Sequence, residues 1–380
     1  MNGSQSVKSL LLIAALAACT KPETVVAQGQ APDGLTRTTV EGHDLYMRPG
    51  FRISVFAQGL RGVRTLTLGP GNVVYAALTT RSGAIVRLPD ANKDGVADTA
   101  ITIVGDLHQP FGLAFRGDTM FVGETDALDR FNPGSTTPAK LAALPSGQGH
   151  STRTVVVGPD GKLYVAIGSS CNICEESDPR RAAVVRYNTD GTGEHLFAKG
   201  LRNSVGLAFN PTTGELWANN NDRDNLGDDL PPEHVNILKD GKFYGWPYCY
   251  LPGKQNPEYA DANCASVEPP AITIQAHSAP LGLAFYTGTM FPADYKGDAF
   301  MTLHGSWNRS VPTGAKVVRV HIQNGKATGV EDFITGWLPP GATSVSGRWG
   351  RPVGLLVLPD GSLLISDDDA GKIWRVTYAK

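Results

Sequence analysis

The stretch RTVVVGPDGKLYVAIG, Arg153 to Gly168, is an apolar alternation, a Gly-Pro-Asp-Gly turn and an apolar return, which is the pattern of a β-hairpin. The same pattern recurs along the chain, each time followed by another short apolar strand. It runs as RTLTLGPGNVVYAAL (Arg64–Leu78) with GAIVRL, as FGLAFRGDTMFVGE (Phe111–Glu124) with ALDRF, and as the opening stretch with AVVRY. It returns as VGLAFNPTTGELWAN (Val205–Asn219) with HVNIL, as LGLAFYTG (Leu281–Gly288) with GDAFMTL and KVVRV, and as VGLLVLPDGSLLISD (Val353–Asp367) with KIWRV. Helical amphipathic spacing is almost absent. Six strand-rich units repeating every 45 to 65 residues or so predict an all-β, six-bladed β-propeller. Two stacked sandwiches would account for the turns but not for the repeat.

The ends of the chain read differently. Lys8 and the run LLLIAALAA precede Cys19, a charged start and an apolar stretch too short to span a bilayer, so residues 1–19 are expected to be a signal peptide. Leu16 to Cys19, LAAC, resembles a bacterial lipobox, which implies export to the periplasm with a lipid anchor on Cys19; simple cleavage near VVAQ and secretion is the alternative. Residues 20–49 are polar and aperiodic and are expected to be a tether, with the propeller over 50–380. The formal net charge is −2 and no basic run is present, which argues against nucleic acid as a partner. Four cysteines follow Cys19; in an oxidising compartment proximity pairs Cys171 with Cys174 and Cys249 with Cys264, although four cysteines allow three connectivities.

In a propeller, residues just ahead of each innermost strand line one end of the central channel. Polar residues fall at that phase in most units: His108 and Gln109, His150, Arg202 and Asn203, His277, and Arg348 with Arg351. A lone histidine or arginine at a loop edge is usually structural. Recurrence at one phase of a repeat points to a shared funnel. Arginine grips carboxylates bidentately and histidine accepts a proton near neutral pH, so such a funnel suits an anionic ligand with proton transfer beside it.

The segments GQGHSTRTVVVGPDGKLYVAIG, GLRNSVGLAFNPTTGELW, DGKFYGWP and GRWGRPVGLLVLPDGSLLISDD resemble the soluble quinoprotein sugar dehydrogenases, the sorbosone and aldose sugar dehydrogenase branch above all. The resemblance runs from PGFRISVFAQGL to KIWRVTY. It implies a propeller that binds pyrroloquinoline quinone (PQQ) with Ca2+, oxidises the anomeric hydroxyl or hydrated aldehyde of a small-molecule sugar, and passes electrons to an external acceptor, a quinone or a redox protein. It further implies that His150 is the general base, that Arg202 polarises the reactive carbonyl, that Asn203 contacts the cofactor, that Arg348 and Arg351 hold cofactor carboxylates, and that Gln109 lies on the substrate side. A family lysine would fall near LHGSWNRS, where this chain has His304, Ser306 and Arg309; Arg309 is the candidate to supply that charge. Gly149 stands where some relatives carry an acid, leaving Gln109 or His108 as the expected partner of His150.

Two segments point to calcium. DANKDGVAD places oxygen side chains at positions 1, 3, 5 and 9 (Asp90, Asn92, Asp94, Asp98) and glycine at 6, the spacing of a loop around a hard cation, while Ile101 at position 12 excludes an EF-hand. A solvated acidic turn is the alternative. The resemblance implies a cofactor calcium on main-chain carbonyls in NNNDRDNLGDD, which nominates Asn221 and Asp222 by position. Two other functions share the architecture: a lactonase-type calcium hydrolase, which would build its channel site from acidic and amide side chains, and a non-catalytic binding propeller.

Overall fold

Each repeat unit folds as an antiparallel sheet, and the six innermost strands, Val63–Leu68, Gly112–Arg116, Arg153–Val157, Leu207–Phe209, Pro280–Phe285 and Pro352–Val357, surround one axis. This architecture is seen in a computed structural model, which describes residues 31–379. The leader, the lipobox and Cys19 lie outside the described residues. The blades are numbered I to VI in the order of these strands. Blade VI takes its outermost strand from the beginning of the propeller: Phe51–Gln58 pairs antiparallel with Lys372–Tyr378, Phe51 opposite Tyr378 and Gln58 opposite Lys372. That pairing joins the two ends of the propeller, so the ring closes through main-chain hydrogen bonds between its first and last strands.

A glycine at the start of the innermost strand, or just before it, explains why GL recurs. A Cβ added at Gly112 would lie 2.2 Å from the Arg153 carbonyl oxygen, at Gly206 2.4 Å from that of Leu281, at Gly282 2.3 Å from that of Val353, and at Gly354 2.2 Å from that of Arg64. Each close approach is to the next blade. Glycine at this phase is therefore a condition for the inner strands to meet around the axis. A polar side chain on the second strand stitches the same joint. The Gly282 N–H donates to Thr302 Oγ1 at 2.7 Å, and Thr302 Oγ1 donates onward to the Val353 carbonyl at 2.6 Å. Asn219 does the same between Gly206 and Leu281, and from the innermost strand itself Thr154 Oγ1 donates to the Val205 carbonyl. Apolar side chains fill the spaces between neighbouring blades, with Trp217, Trp337 and Trp374 wholly buried.

The tether expected over 20–49 is corrected in part. Thr36–Val40 and His43–Met47 form a hairpin that extends the outer edge of blade V, Tyr46 opposite Thr335 and Met47 opposite Ile334. Leu45, Tyr46 and Met47 are buried there. The segment is short and mostly polar, but three consecutive residues that a neighbouring sheet can cover suffice to order it. Both disulfides expected from proximity are formed, Cys171–Cys174 and Cys249–Cys264.

Candidate active site

The hairpin Arg153–Gly168 fixes the backbone of His150. Arg153 pairs with Ile167 across the turn, where Gly161 takes φ +73° and the Gly158 N–H closes onto the Lys162 carbonyl at 2.8 Å. Beyond the strands the pairing continues: the His150 N–H donates to the Ser169 carbonyl at 2.9 Å. Two glycines permit this. Gly149 has φ +83° and a Cβ there would meet the Ser169 and Ser170 main chain; a Cβ on Gly168 would lie 2.6 Å from the Cβ of His150 and 2.5 Å from Asn203 Oδ1. The local backbone geometry thus requires glycine at 149.

His150 does not pair with His108 or Gln109 as expected. Its Nδ1 lies 3.1 Å from the Ser169 carbonyl and 3.0 Å from Ser169 Oγ, while His108 Nδ1 meets Asp126 and Gln109 Oε1 accepts from Thr125. A carbonyl oxygen only accepts, so Nδ1 carries the proton and Nε2 keeps its lone pair. Removal from water, followed by the nearby charge of Arg202 and then of Arg181 and Arg153, pushes the imidazole down to about 3, against the bond to Ser169. His150 is therefore a neutral acceptor at any ordinary pH. Arg153, wholly buried, donates to the carbonyls of His150, Thr152 and Pro145, and Arg181 donates to the Gly168 carbonyl. The two guanidiniums hold the loop and bias its charge.

His150 opens onto a cavity of about 210 Å³ at the channel end, lined also by Arg202, Asn203, Asn221, Asp222, Asp224, Glu233, His277, His304, Trp307 and Asn308. Arg202 is only 5% exposed. Its Nη1 donates to the Asp222 carbonyl at 2.7 Å and more weakly to that of Asn221, its Nη2 to Asp224 Oδ2 at 2.8 Å, and its Nε to the Asn172 carbonyl at 3.1 Å. Glu233 is buried and pushed up to about 8 by that burial, although it accepts the N–H groups of Asp222 at 2.7 Å and Ala279 at 3.3 Å. Asn203 Oδ1 and Asn308 Oδ1 are buried on this lining without a hydrogen-bond partner among the described residues. The indole of Trp307 is 72% exposed at the mouth. His277 and Ala279 hold φ of +61° and +55°, a left-handed backbone that is unfavourable for side-chain-bearing residues and clusters at sites.

The nominated residues divide. His150, Arg202, Asn203, Asn221 and Asp222 meet on the lining, and Gln109, Arg309, Arg348 and Arg351 do not. Arg309 ties two loops together, donating to the carbonyls of Asp228 and Val311 and pairing with Asp229. Arg351 adjoins the cavity through His304: its Nε donates to the His304 carbonyl at 3.1 Å, and His304 Nε2 meets Asp368 at 2.9 Å. Asp368 also pairs with Arg64, and Arg348 lies 3.7 Å from Asp369. Burial, then repulsion by Arg348 and Arg64, pushes Arg351 down to about 10. Arg64 was missed because it lies inside the innermost strand Val63–Leu68, one step past the phase at which the other polar residues fall. Ser169, Asp224 and Asn308 were missed because they lie in loops that leave the second strands, and Glu233 because it opens a third strand, places that carry no polar repeat signal. The arginine-dominated funnel expected from the sequence is corrected to an amide and carboxylate lining around one arginine, with a separate arginine cluster beside it.

The Asp90–Asp98 loop lies apart from this cavity, between Gly83–Leu88 and Ile101–Leu107. Asp90 accepts the N–H groups of Asp94 and Gly95, Asp94 that of Val96, and Asp98 that of Ala91. These bonds fold the loop over its own oxygen side chains.

The fold and this funnel together define a six-bladed propeller with a polar site at one end of its channel. The chain belongs to the TrAA12-like family, whose model matches residues 45–253 and 251–379. It is 33% identical over 304 residues to an uncharacterised protein of Borreliella burgdorferi, covering 73% of this chain and 78% of that one. It is 25% identical to the pyrroloquinoline quinone-dependent pyranose dehydrogenase of Coprinopsis cinerea over 86% of this chain, and spans 54% of that protein's length. The holo form of the PQQ domain of the Coprinopsis cinerea pyranose dehydrogenase superposes with a TM-score of 0.76 at 22% identity, covering 89% of this chain and 98% of that domain.

Proposed function

We propose that this protein is a PQQ-dependent sugar dehydrogenase that oxidises the anomeric hydroxyl of an aldose-type sugar and delivers the electrons to an external acceptor. The observation that carries the reading is His150: a histidine held neutral, with Nδ1 tied to Ser169 and Nε2 left as an acceptor on the cavity. The residues fit the cofactor. Orphaned buried oxygens on Asn203 and Asn308 await a partner, and the crowded guanidiniums of Arg64, Arg348 and Arg351 would be relieved by a carboxylate. Asp222, Asp224 and Glu233 offer the hard oxygens that calcium takes, as does the main chain of Asn221 and Asp222. PQQ, when bound, supplies a two-electron acceptor for the hydrogen on the anomeric carbon.

His150 Nε2 takes the proton of the anomeric hydroxyl, help worth on the order of 10²–10⁴-fold. Arg202 gives the cavity a fixed positive charge that needs no reorganisation, because Asp224 and Asn172 already orient it. Trp307 offers an exposed aromatic face at the mouth on which a sugar or a planar ring can lie. The loop from Asp90 to Asp98 is read as a structural calcium site, and Cys19 as the lipid-anchored start of the exported protein.

A calcium hydrolase would draw on the same carboxylate and amide lining, which is the one feature in its favour. Absorbance titration of the purified apoprotein with PQQ and calcium, followed by an aldose panel with an artificial electron acceptor, separates the two. Sugar oxidation is expected only with both additions. Full activity after chelation and dialysis, with no quinone present, would refute the quinoprotein reading.

A further inference from the structure

The segment CNIC leaves the hairpin of blade III at Ser169 and folds back against Arg202. The Cys171–Cys174 disulfide closes it into a small ring with Cα atoms 6.2 Å apart. Within the ring, Asn172 engages three other parts of the chain. Its main-chain carbonyl accepts Arg202 Nε at 3.1 Å and Trp246 Nε1 at 3.0 Å. Its Oδ1 accepts Arg202 Nη2 at 3.0 Å and the Asp224 N–H at 2.8 Å, and its Nδ2 donates to the Asp224 carbonyl at 3.1 Å. Asp224 in turn pairs with Arg202 and accepts from Asn308. The ring also reaches the base. Ser169 Oγ donates to the Cys171 carbonyl at 2.6 Å, which turns its lone pairs toward His150 Nδ1.

A ring this short restrains little of the unfolded chain, less than the Cys249–Cys264 bridge with its separation of 15 residues. What it does restrain is the direction of one asparagine. Freed from the ring, a short polar segment at the half-buried surface would exchange these bonds for water, and two cavity residues would lose their common anchor.

We infer that Asn172 is a positioning residue for Arg202 and that the Cys171–Cys174 disulfide fixes it, so the site is set only while that bond is oxidised. The kinetic consequence rests on the proposed dehydrogenase reading; the structural one does not. Reduction by a phosphine gives two thiols from the disulfide, with two electrons from phosphorus and two protons and the oxide oxygen from water.

The first readout needs neither cofactor nor sugar. Nitrogen-15 NMR of the full chain follows the Arg202 Nε–H, assigned by its loss in Arg202→Lys. Solvent exchange of that proton is expected to quicken at least tenfold after phosphine reduction, and equally in the Cys171→Ser/Cys174→Ser variant, which leaves the second disulfide intact. The second readout is steady-state kinetics of the reconstituted protein. Asn172→Ala is expected to lower kcat about tenfold with KM for the sugar little changed, and Asn172→Asp, which keeps the acceptor, to recover most of it. Melting temperature reports whether each variant is folded. Exchange of the Arg202 proton that is unmoved by reduction and by the folded double variant overturns the inference. A wild-type protein without PQQ-dependent activity that still shows the redox-dependent exchange refutes the dehydrogenase reading and leaves the clamp standing.

Discussion

The two ends of the channel are built from the same six strands, yet among the described residues charged side chains line a cavity at only one of them. The strand starts, with the loops that enter them and those that leave the second strands, surround a cavity of about 210 Å³ carrying three carboxylates, three histidines and a buried arginine. Phe111, Val205, Leu281 and Val353 pack across the axis below it. Further along, a larger space of about 300 Å³ is lined by Thr65, Thr67, Phe115, Val157, Leu207 and Leu355, and no ionisable side chain is among the described residues on its walls. Volume is therefore a poor guide to function here. The strands supply a frame, and the loops deliver charge at one end of it.

The sharpest break of that contrast is at His150. His150→Gln is expected to lower the rate of cofactor reduction by about 10²-fold or more at saturating PQQ, measured by stopped flow, whereas Thr67→Val at the other end should change it less than about twofold. Equal effects at the two ends would return His150 to a structural role.

A pH titration tests the same residue in the apoprotein. The folded imidazole is depressed to about 3 from its ordinary 6.5, so the unfolded chain binds more protons between those values. His150 accordingly contributes stability in full above about pH 6.5 and loses it as pH falls toward 3. NMR of the imidazole should show no protonation above about pH 5. A midpoint near 6.5 would mean that burial and the three guanidiniums do not act on it.

The arginine cluster is next in size. Arg351→Ala should weaken PQQ binding by roughly tenfold or more in the absorbance titration while sparing the rate at saturation, because it adjoins the cavity through His304 and does not line it. Unchanged affinity would remove the cluster from the cofactor's surroundings.

The smallest effect is expected in the loop farthest from this contrast. Asp94→Ala should lower the melting temperature by a few degrees in calcium and less in chelator, since a ligand bound to the native state alone stabilises it by about 2.7 kcal/mol at a hundredfold excess over Kd. Equal losses in both media identify a solvated turn.

The repeat was legible in the sequence because each blade must solve one packing problem: an inner strand close to its neighbour, a turn, and a return. Gly112, Gly206, Gly282 and Gly354 record that problem directly, since a Cβ at any of them would meet the next blade's main chain. His150, Arg202 and Asn203 were legible because they sit at a fixed phase of the repeat. The hairpin Thr36–Met47 was hidden, because its order comes from a sheet edge nearly three hundred residues away, at Ile334 and Thr335. Ser169 as the partner of His150, Asn172 as the anchor of Arg202, and Glu233 beneath the Asp222 loop have no periodic signature. Period and turn chemistry are local, and the sequence by itself determines the blades and the phase at which polar residues approach the axis. Which of those residues face the cavity, which pair with each other, and which lone pair stays free depend on contacts between segments far apart in the chain, and these the tertiary structure alone decided.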